Sequence, residues 1–216
     1  MANLTKMATR KTQILKTAER IFGEKGFQET TISEIAKEAK ISEASIYEYF
    51  STKEGLLFSI PTKNASELFK LMEFHLKLIR GAGNKLRSII SILLSTNETN
   101  PNNASIVMLI LKHNKKFLNT EGHLEIKKGL KIIDDTIQEG VAAGEFKNDI
   151  NVYLTRSIII GTMEHLVTSW LMTGKPEHLV TLVDPMIDTL IQGISYRNKQ
   201  PICDTFKVCE KLSKED

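Results

Sequence analysis

Cysteine is nearly missing from this chain: its 216 residues hold two, Cys203 and Cys209, both late in the sequence. Two thiols so placed build no disulfide framework and suit a reducing compartment. Apolar runs long enough to span a bilayer are missing too. "MANLTKMATRKTQ" lacks the apolar core of a secretory signal. The expectation is a soluble, cytoplasmic protein that makes no use of a membrane. Strand-like alternation rich in Val, Thr and Tyr is absent, and there are only five prolines, so helices should dominate. The five histidines, His75, His113, His123, His165 and His178, show no HExxH or other paired spacing. No metal site and no cofactor are expected. "GAGN" has neither the preceding strand nor the Lys-Ser/Thr ending of a phosphate-binding loop. No nucleophile and base can be paired from the sequence, so no catalytic residue is assigned. Excess charge is lacking as well. The formal net charge is +3, and residues 1–55 carry nine basic side chains against eight acidic ones. Any case for nucleic acid must rest on geometry.

What the chain does have is helical periodicity almost throughout, with 41% hydrophobic residues, enough for a sizeable core. A first helix is expected over about Arg10 to Lys25, with Ile14, Leu15, Ala18, Ile21 and Phe22 as its apolar stripe and Gly26 as its stop. Thr31 and Glu34 have capping-box spacing for a second helix, whose Ile32, Ile35, Ala36 and Ala39 face inward. Ser42 caps a third helix, and Ser51 or Thr52 a long fourth one reaching about Ile79. "GAGN" predicts a break, followed by a helix from Lys85 to about Ser95, and "TNETNPNNA" predicts a polar turn. Further helices are expected over Ser105–Leu118, His123–Ala142, Val152–Thr173 and a last stretch to about Tyr196. In that last stretch Pro185 marks a possible true start. The remaining tail is mostly polar, with room for a short amphipathic helix.

"ISEASIYEYFSTKEG" is the informative stretch. Its helix has two apolar positions at helical spacing, Ile46 and Phe50, and otherwise shows small or polar side chains. Two short helices joined by a tight turn suggest a helix-turn-helix. In the DNA-binding kind, the start of the second helix enters the major groove. Ala44 and Ser45 allow close approach there. Tyrosine hydroxyls and helix N-termini suit phosphates.

These residues also carry a resemblance. "TTISEIAKEAKISEASIYEYFSTKEGLL" resembles the DNA-binding head of the TetR family of bacterial repressors, over Arg10 to Leu57. The resemblance implies an all-α fold: a helix-turn-helix domain at 8–54, a ligand-binding and dimerisation domain at 55–197, and a tail at 198–216. It places Thr31, Ser42, Ala44, Ser45, Tyr47, Tyr49 and Lys53 at a double-stranded DNA operator, with Thr31, Tyr47 and Lys53 on phosphates. Glu43 and Glu48 stand on or beside the reading helix and join the DNA-facing set as specificity elements. Acid repels phosphate but accepts from cytosine N4. Two other departures concern the backbone. Lys40 stands where relatives usually have Gly, which costs about 1–2 kcal/mol if that position is left-handed. Gly55 replaces a common Glu, so a cap at Thr52 would lack its capping-box partner.

A repressor of this type responds to an effector. Candidate ligand residues are Phe69, Met72, Met108, Phe117, Met163 and Trp170, flexible and bulky enough to line an apolar pocket, with Lys112 and His113 at its polar edge. "LKIIDDTIQEGVAAGEFKNDINVYLTRSIIIGTMEHLVTSWLMTG" followed by "LVDPMIDTLIQGI" is similar to TetR-family regulators of fatty-acid degradation, which implies a long-chain acyl-CoA effector. The alternative effector is a drug-like hydrophobic compound. From another class, a helical-bundle lipid carrier or enzyme stays open. The helix over Val152–Thr173 is apolar on more than one face, so Leu154, Ile158 and Leu166, with Ile187, Leu190 and Ile194 of the last helix, are expected to form a homodimer seam.

Overall fold

The structure is a computed structural model that describes residues 2–195; the tail, with Cys203, Cys209 and the expected end at Tyr196, lies outside the described residues. Among them are nine α-helices and no strand: α1 Ala2–Lys25, α2 Ile32–Glu38, α3 Glu43–Phe50, α4 Lys53–Leu76, α5 Ala82–Thr99, α6 Pro101–Ser105, α7 Glu121–Ala142, α8 Val152–Thr173 and α9 Val183–Ile194. The fold is all-α, a helix-turn-helix head followed by a larger helical domain.

Two apolar clusters organise it. The first gathers Ile14, Ala18 and Phe22 of α1, Ile32 and Ile35 of α2, Ile46 and Phe50 of α3, and Leu56, Leu57 and Ile60 of α4. Ile106, Leu111 and Phe117 from later in the chain complete it. The second joins Met72 and Leu76 of α4 to α5, α7, α8 and α9. Helix α4 therefore runs from one core into the other. Pro61 lies inside α4 and has no N–H to offer the Leu57 carbonyl, yet burial on both sides keeps the helix continuous.

Helix α7 lets α4 come close because it carries glycine at the contact. A Cβ on Gly129 would sit 2.1 Å from the Phe69 ring. A side chain there would force either the Phe69 ring to move or the two helices apart.

Four expected boundaries are corrected. The first helix starts at Ala2, not Arg10. The "GAGN" break is confined to Gly81, whose φ is +83°; Ala82 is buried and α5 starts there. The polar run after Ser95 continues α5 to Thr99, with its side chains bonded back to the preceding turn. Thr96 donates to the Ile92 carbonyl at 2.7 Å, Asn97 to that of Leu93 at 2.7 Å, and Thr99 to that of Ser95 at 2.9 Å. The single helix expected over Ser105–Leu118 is three pieces: α6, a π-helical segment Ile106–Leu111 and a 3₁₀ segment Lys115–Asn119. The π segment is marked by the Lys112 N–H donating to the Val107 carbonyl at 3.1 Å. This wider turn re-phases an unbroken apolar run. Ile106 and Leu111 both enter the head cluster, while Met108 packs on the other one. The last helix starts at Val183, after a 3₁₀ segment Leu179–Leu182.

Candidate nucleic-acid interface and effector domain

The head is set by its caps. Gly26 has φ +84° and its N–H donates to the Phe22 carbonyl at 2.9 Å, closing α1. The Thr31 hydroxyl accepts from the Glu34 N–H at 3.1 Å. The Glu34 carboxylate pairs with Lys25 rather than completing the capping box, and that hydrogen bond holds its carboxyl below the usual range. Arg20 reaches from α1 to Glu38 of α2 at 2.7 Å.

The turn between α2 and α3 is a Schellman closure with lysine in the left-handed place. Lys40 has φ +55°. Its N–H donates to the Lys37 carbonyl at 3.2 Å, and the Ile41 N–H to that of Ala36 at 3.0 Å. The side-chain amide of Gln13 on α1 also donates to the Ala39 carbonyl at 2.9 Å. These bonds hold Lys40 in a conformation that glycine adopts more easily.

Helix α3 begins at Ser42, whose hydroxyl accepts from the Ser45 N–H at 3.2 Å. Ile46 and Phe50 are buried; Ser42, Glu43, Ala44, Tyr47 and Glu48 are exposed. Ser45 is half-buried, its hydroxyl 3.0 Å from that of Ser42. Tyr49 is half-buried too, its ring centroid 6.1 Å from that of Phe50. The structure therefore brings one face of α3 to the surface at its N-terminal end, free of bulk.

The next turn is unusual. Ser51 has φ +58°, and the Thr52 N–H donates back to the Phe50 carbonyl at 2.6 Å, making a γ-turn of the strained, positive-φ kind. Thr52, not Ser51, caps α4, its hydroxyl accepting from the Gly55 N–H at 2.9 Å. Lys53 opens α4 with its ammonium 4.4 Å above the Phe27 ring. Thr31 and Lys53 thus both stand at helix N-termini on the head.

The ligand candidates divide. Met72 and Met163 are buried in the second cluster, and Met108 and Trp170 pack against it. Phe69 lies against Gly129. Phe117 is in the head cluster, 5.7 Å from the ring of Phe58 and 5.8 Å from that of His123. Lys112 is exposed and paired with Glu164, and His113 is exposed. Of the dimer candidates, Leu154 and Ile158 stand on the outer face of α8 at 55% and 52% exposure, and Leu166 and Leu190 are half-buried. Ile187 and Ile194 are corrected: both turn into the core of their own chain and are not available to a partner.

Sequence reasoning missed the polar junction between head and second domain. Glu19 on α1 accepts from Asn100 at 2.6 Å and from Asn64 at 3.2 Å, and Asn64 also donates to Asn103 at 3.3 Å. A cavity of about 270 Å³ adjoins it, lined by Lys16, Ile60 and Asn102 among others. The visible signal was Asn64, a polar residue in the middle of the fourth helix.

Comparison with known proteins bears on both parts. The model described as "Bacterial regulatory proteins, tetR family" matches residues 14–60, and "YsiA-like protein, C-terminal region" matches 63–193. The fatty acid metabolism regulator protein of Bacillus subtilis (strain 168) is 31% identical over 182 residues, covering 84% of this chain and 94% of the relative. The crystal structure of FadR from Bacillus subtilis in complex with stearoyl-CoA superposes with a TM-score of 0.79, at 31% identity over 85% of this chain and 98% of that one. FadR from Bacillus halodurans, a fatty acid degradation regulator, gives 0.80 at 25% identity over 87% and 97%.

Proposed function

The chain belongs to the TetR family of bacterial regulatory proteins, and from that premise we propose that it is a repressor whose effector is a long-chain acyl-CoA. As a TetR-type transcriptional repressor it binds DNA through its helix-turn-helix head. The likeness that carries the effector runs through the second domain, since the relative crystallised with stearoyl-CoA matches 85% of this chain and not the head alone. In this reading residues 8–54 form the DNA-binding domain and residues 55–197 the effector and dimerisation domain. The protein works in the cytoplasm without a catalytic step of its own.

Two copies would meet through the outer face of α8, where Leu154 and Ile158 are exposed, with Leu166 and Leu190 at its margin. Exposed leucine and isoleucine on successive turns favour a covered seam. A two-fold dimer presents two α3 helices to half-sites about 34–36 Å apart. Tyr47, Thr31 and Lys53 would hold phosphates; Ser42, Glu43, Ala44, Ser45, Glu48 and Tyr49 would face the groove.

The acyl chain would lie among Phe69, Met72, Met108, Met163 and Trp170, with Phe117, Lys112 and His113 toward the head. Part of that packing would have to open, and effector binding would be linked to the release of DNA through α4. That helix reaches from Lys53 in the head to Met72 and Leu76 in the second cluster. The effector shifts the equilibrium only by its differential affinity for the released form.

The test is fluorescence anisotropy on a labelled duplex from the gene's own upstream region, titrated with stearoyl-CoA. The expected result is a fall to the free-DNA value, with free coenzyme A inert. A complex that ignores stearoyl-CoA would move the effector to the drug-like hydrophobic class. Failure to form a complex on that duplex would leave the operator to be sought elsewhere.

A further inference from the structure

Most acids of the head are answered by a cation or an amide. Arg20 pairs with Glu24 at 3.0 Å and with Glu38 at 2.7 Å, Lys25 with Glu34, and Lys116 with Glu54 at 3.0 Å. Glu19 accepts from Asn100 and Asn64. Glu29, Glu43 and Glu48 have no partner among the described residues. Two of these have an ordinary account. Glu29 is exposed in the turn between α1 and α2. Glu43 is the first residue of α3, where the positive end of the helix dipole favours a carboxylate.

Glu48 has neither account. It stands two residues before the end of α3, where the dipole disfavours an acid. The positions three and four residues away are Ala44, Ser45, Ser51 and Thr52, so no cationic side chain meets it along the helix. Glu48 shares the exposed face of α3 with Ala44 and Tyr47, while Ile46 and Phe50 are buried on the other side. Ala44, one turn earlier, is small enough to let this face come close to another surface.

We infer that Glu48 is a specificity-determining residue that reads one cytosine in each operator half-site by accepting from its N4 amino group, a role that rests on α3 being the DNA-facing helix. A carboxylate lowered into the major groove loses water and lies between two rows of phosphates. Only a hydrogen-bond donor offsets that cost. Guanine and thymine present acceptors there, whereas cytosine and adenine present an amino group. The amino group of adenine stands beside its N7 acceptor, which would meet the second carboxylate oxygen lone pair to lone pair. The amino group of cytosine has no acceptor of its own base on that side. Glu48 therefore works largely by rejection, weakening every sequence that puts another base at its position.

The test uses the full-length protein, as wild type, Glu48→Ala and Glu48→Gln. Glu48 is exposed and makes no bond within the described chain, so both variants should fold. Each protein selects from a pool of duplexes with a random central stretch. Affinities are then measured by fluorescence anisotropy on the selected palindrome and on its symmetric single-base variants. Wild type should require a C·G pair at one position of each half-site and lose at least about tenfold in affinity when both are replaced. Glu48→Ala should lose discrimination at that position alone, and should bind the replaced palindromes more tightly than wild type does. Glu48→Gln should move the preference to A·T, because its amide meets the N6 and N7 of adenine together. The same consensus from all three proteins would overturn the inference and leave DNA binding intact. Weaker binding of Glu48→Ala to all sequences alike would overturn it too, by making Glu48 a residue that positions α3. If wild type enriches no sequence, the DNA-binding role of α3 fails and takes this inference with it.

Discussion

The carbonyl oxygen of Phe50 lies 2.3 Å from the place a β-carbon would take on Gly55. The γ-turn at Ser51 points that oxygen at the first turn of α4, and the helix accommodates it because residue 55 has no side chain. The loss of a capping-box glutamate and the strained turn before α4 are thus one local adjustment. It sets how α3 and α4 meet, and hence where Lys53 stands relative to the exposed face of α3.

Gly55→Ala should therefore be costly although it lies in a helix, where alanine is normally favoured. Overpacking against backbone costs about 1–3 kcal/mol; a lowered melting temperature and weakened DNA binding are expected together. Lys40→Gly should act in the opposite direction. Its φ of +55° suits glycine, and relief of left-handed strain is worth about 1 kcal/mol. Thermal unfolding of the two variants checks both signs. A stabilised Gly55→Ala variant would mean that the turn at Ser51 opens without cost.

Tyr47→Phe combined with Lys53→Ala tests the phosphate contacts. The Lys53 ammonium rests over Phe27 at the α4 N-terminus, where a phosphate would compete for it. Each phosphate contact removed should lower the salt slope of binding by about 1. Operator affinity should fall across sequences alike. An unchanged slope would place Tyr47 and Lys53 away from the backbone.

Much of the head was legible because it is built from local signals. Gly26, Thr31, Ser42 and Thr52 each do what their side chains or conformations favour within one turn, and Ile46 and Phe50 point inward at helical spacing. What was illegible depends on distant partners. Nothing local tells that Asn100 will answer to Glu19, or that Ile106 and Leu111 will enter the head's core through a π-helical turn. The fate of Ile187 and Ile194 was hidden for the same reason. An apolar side chain has one pattern whether it meets its own chain or a second copy.

The pairing of His178 with Glu98 gives a pH dependence with a defined sign. The His178 Nδ1 lies 2.7 Å from the Glu98 carboxylate, which also accepts from the Leu179 N–H at 2.7 Å. The hydrogen bond to Glu98 raises the His178 pKa above 6.5, and the same bond lowers that of Glu98 below 4.5. The histidine's contribution is present in full below 6.5 and is lost as pH rises through its raised folded value. The glutamate's is present above 4.5 and is lost as pH falls through its lowered one. The pair is therefore most stabilising in the window between those two ordinary values. His178→Gln should flatten the pH dependence of melting above pH 6.5, where the raised histidine loses its proton and its contribution. The same decline in wild type and variant would assign it to other groups.

The seam on α8 is tested by separating surface from core. Leu154→Asp with Ile158→Asp changes two exposed residues, so the chain should stay folded while sedimentation finds monomers. Each monomer would then meet a single half-site, and the loss of bivalency should weaken binding to the palindrome by about 10²-fold or more. Ile187→Asp is the contrast. Its side chain is 1% exposed, and a carboxylate there would be buried without a partner, so unfolding rather than clean dissociation is expected. A folded dimer that survives Leu154→Asp and Ile158→Asp would move the seam off this face of α8. In that event Leu166 and Leu190, half-buried at its margin, become the next positions to change.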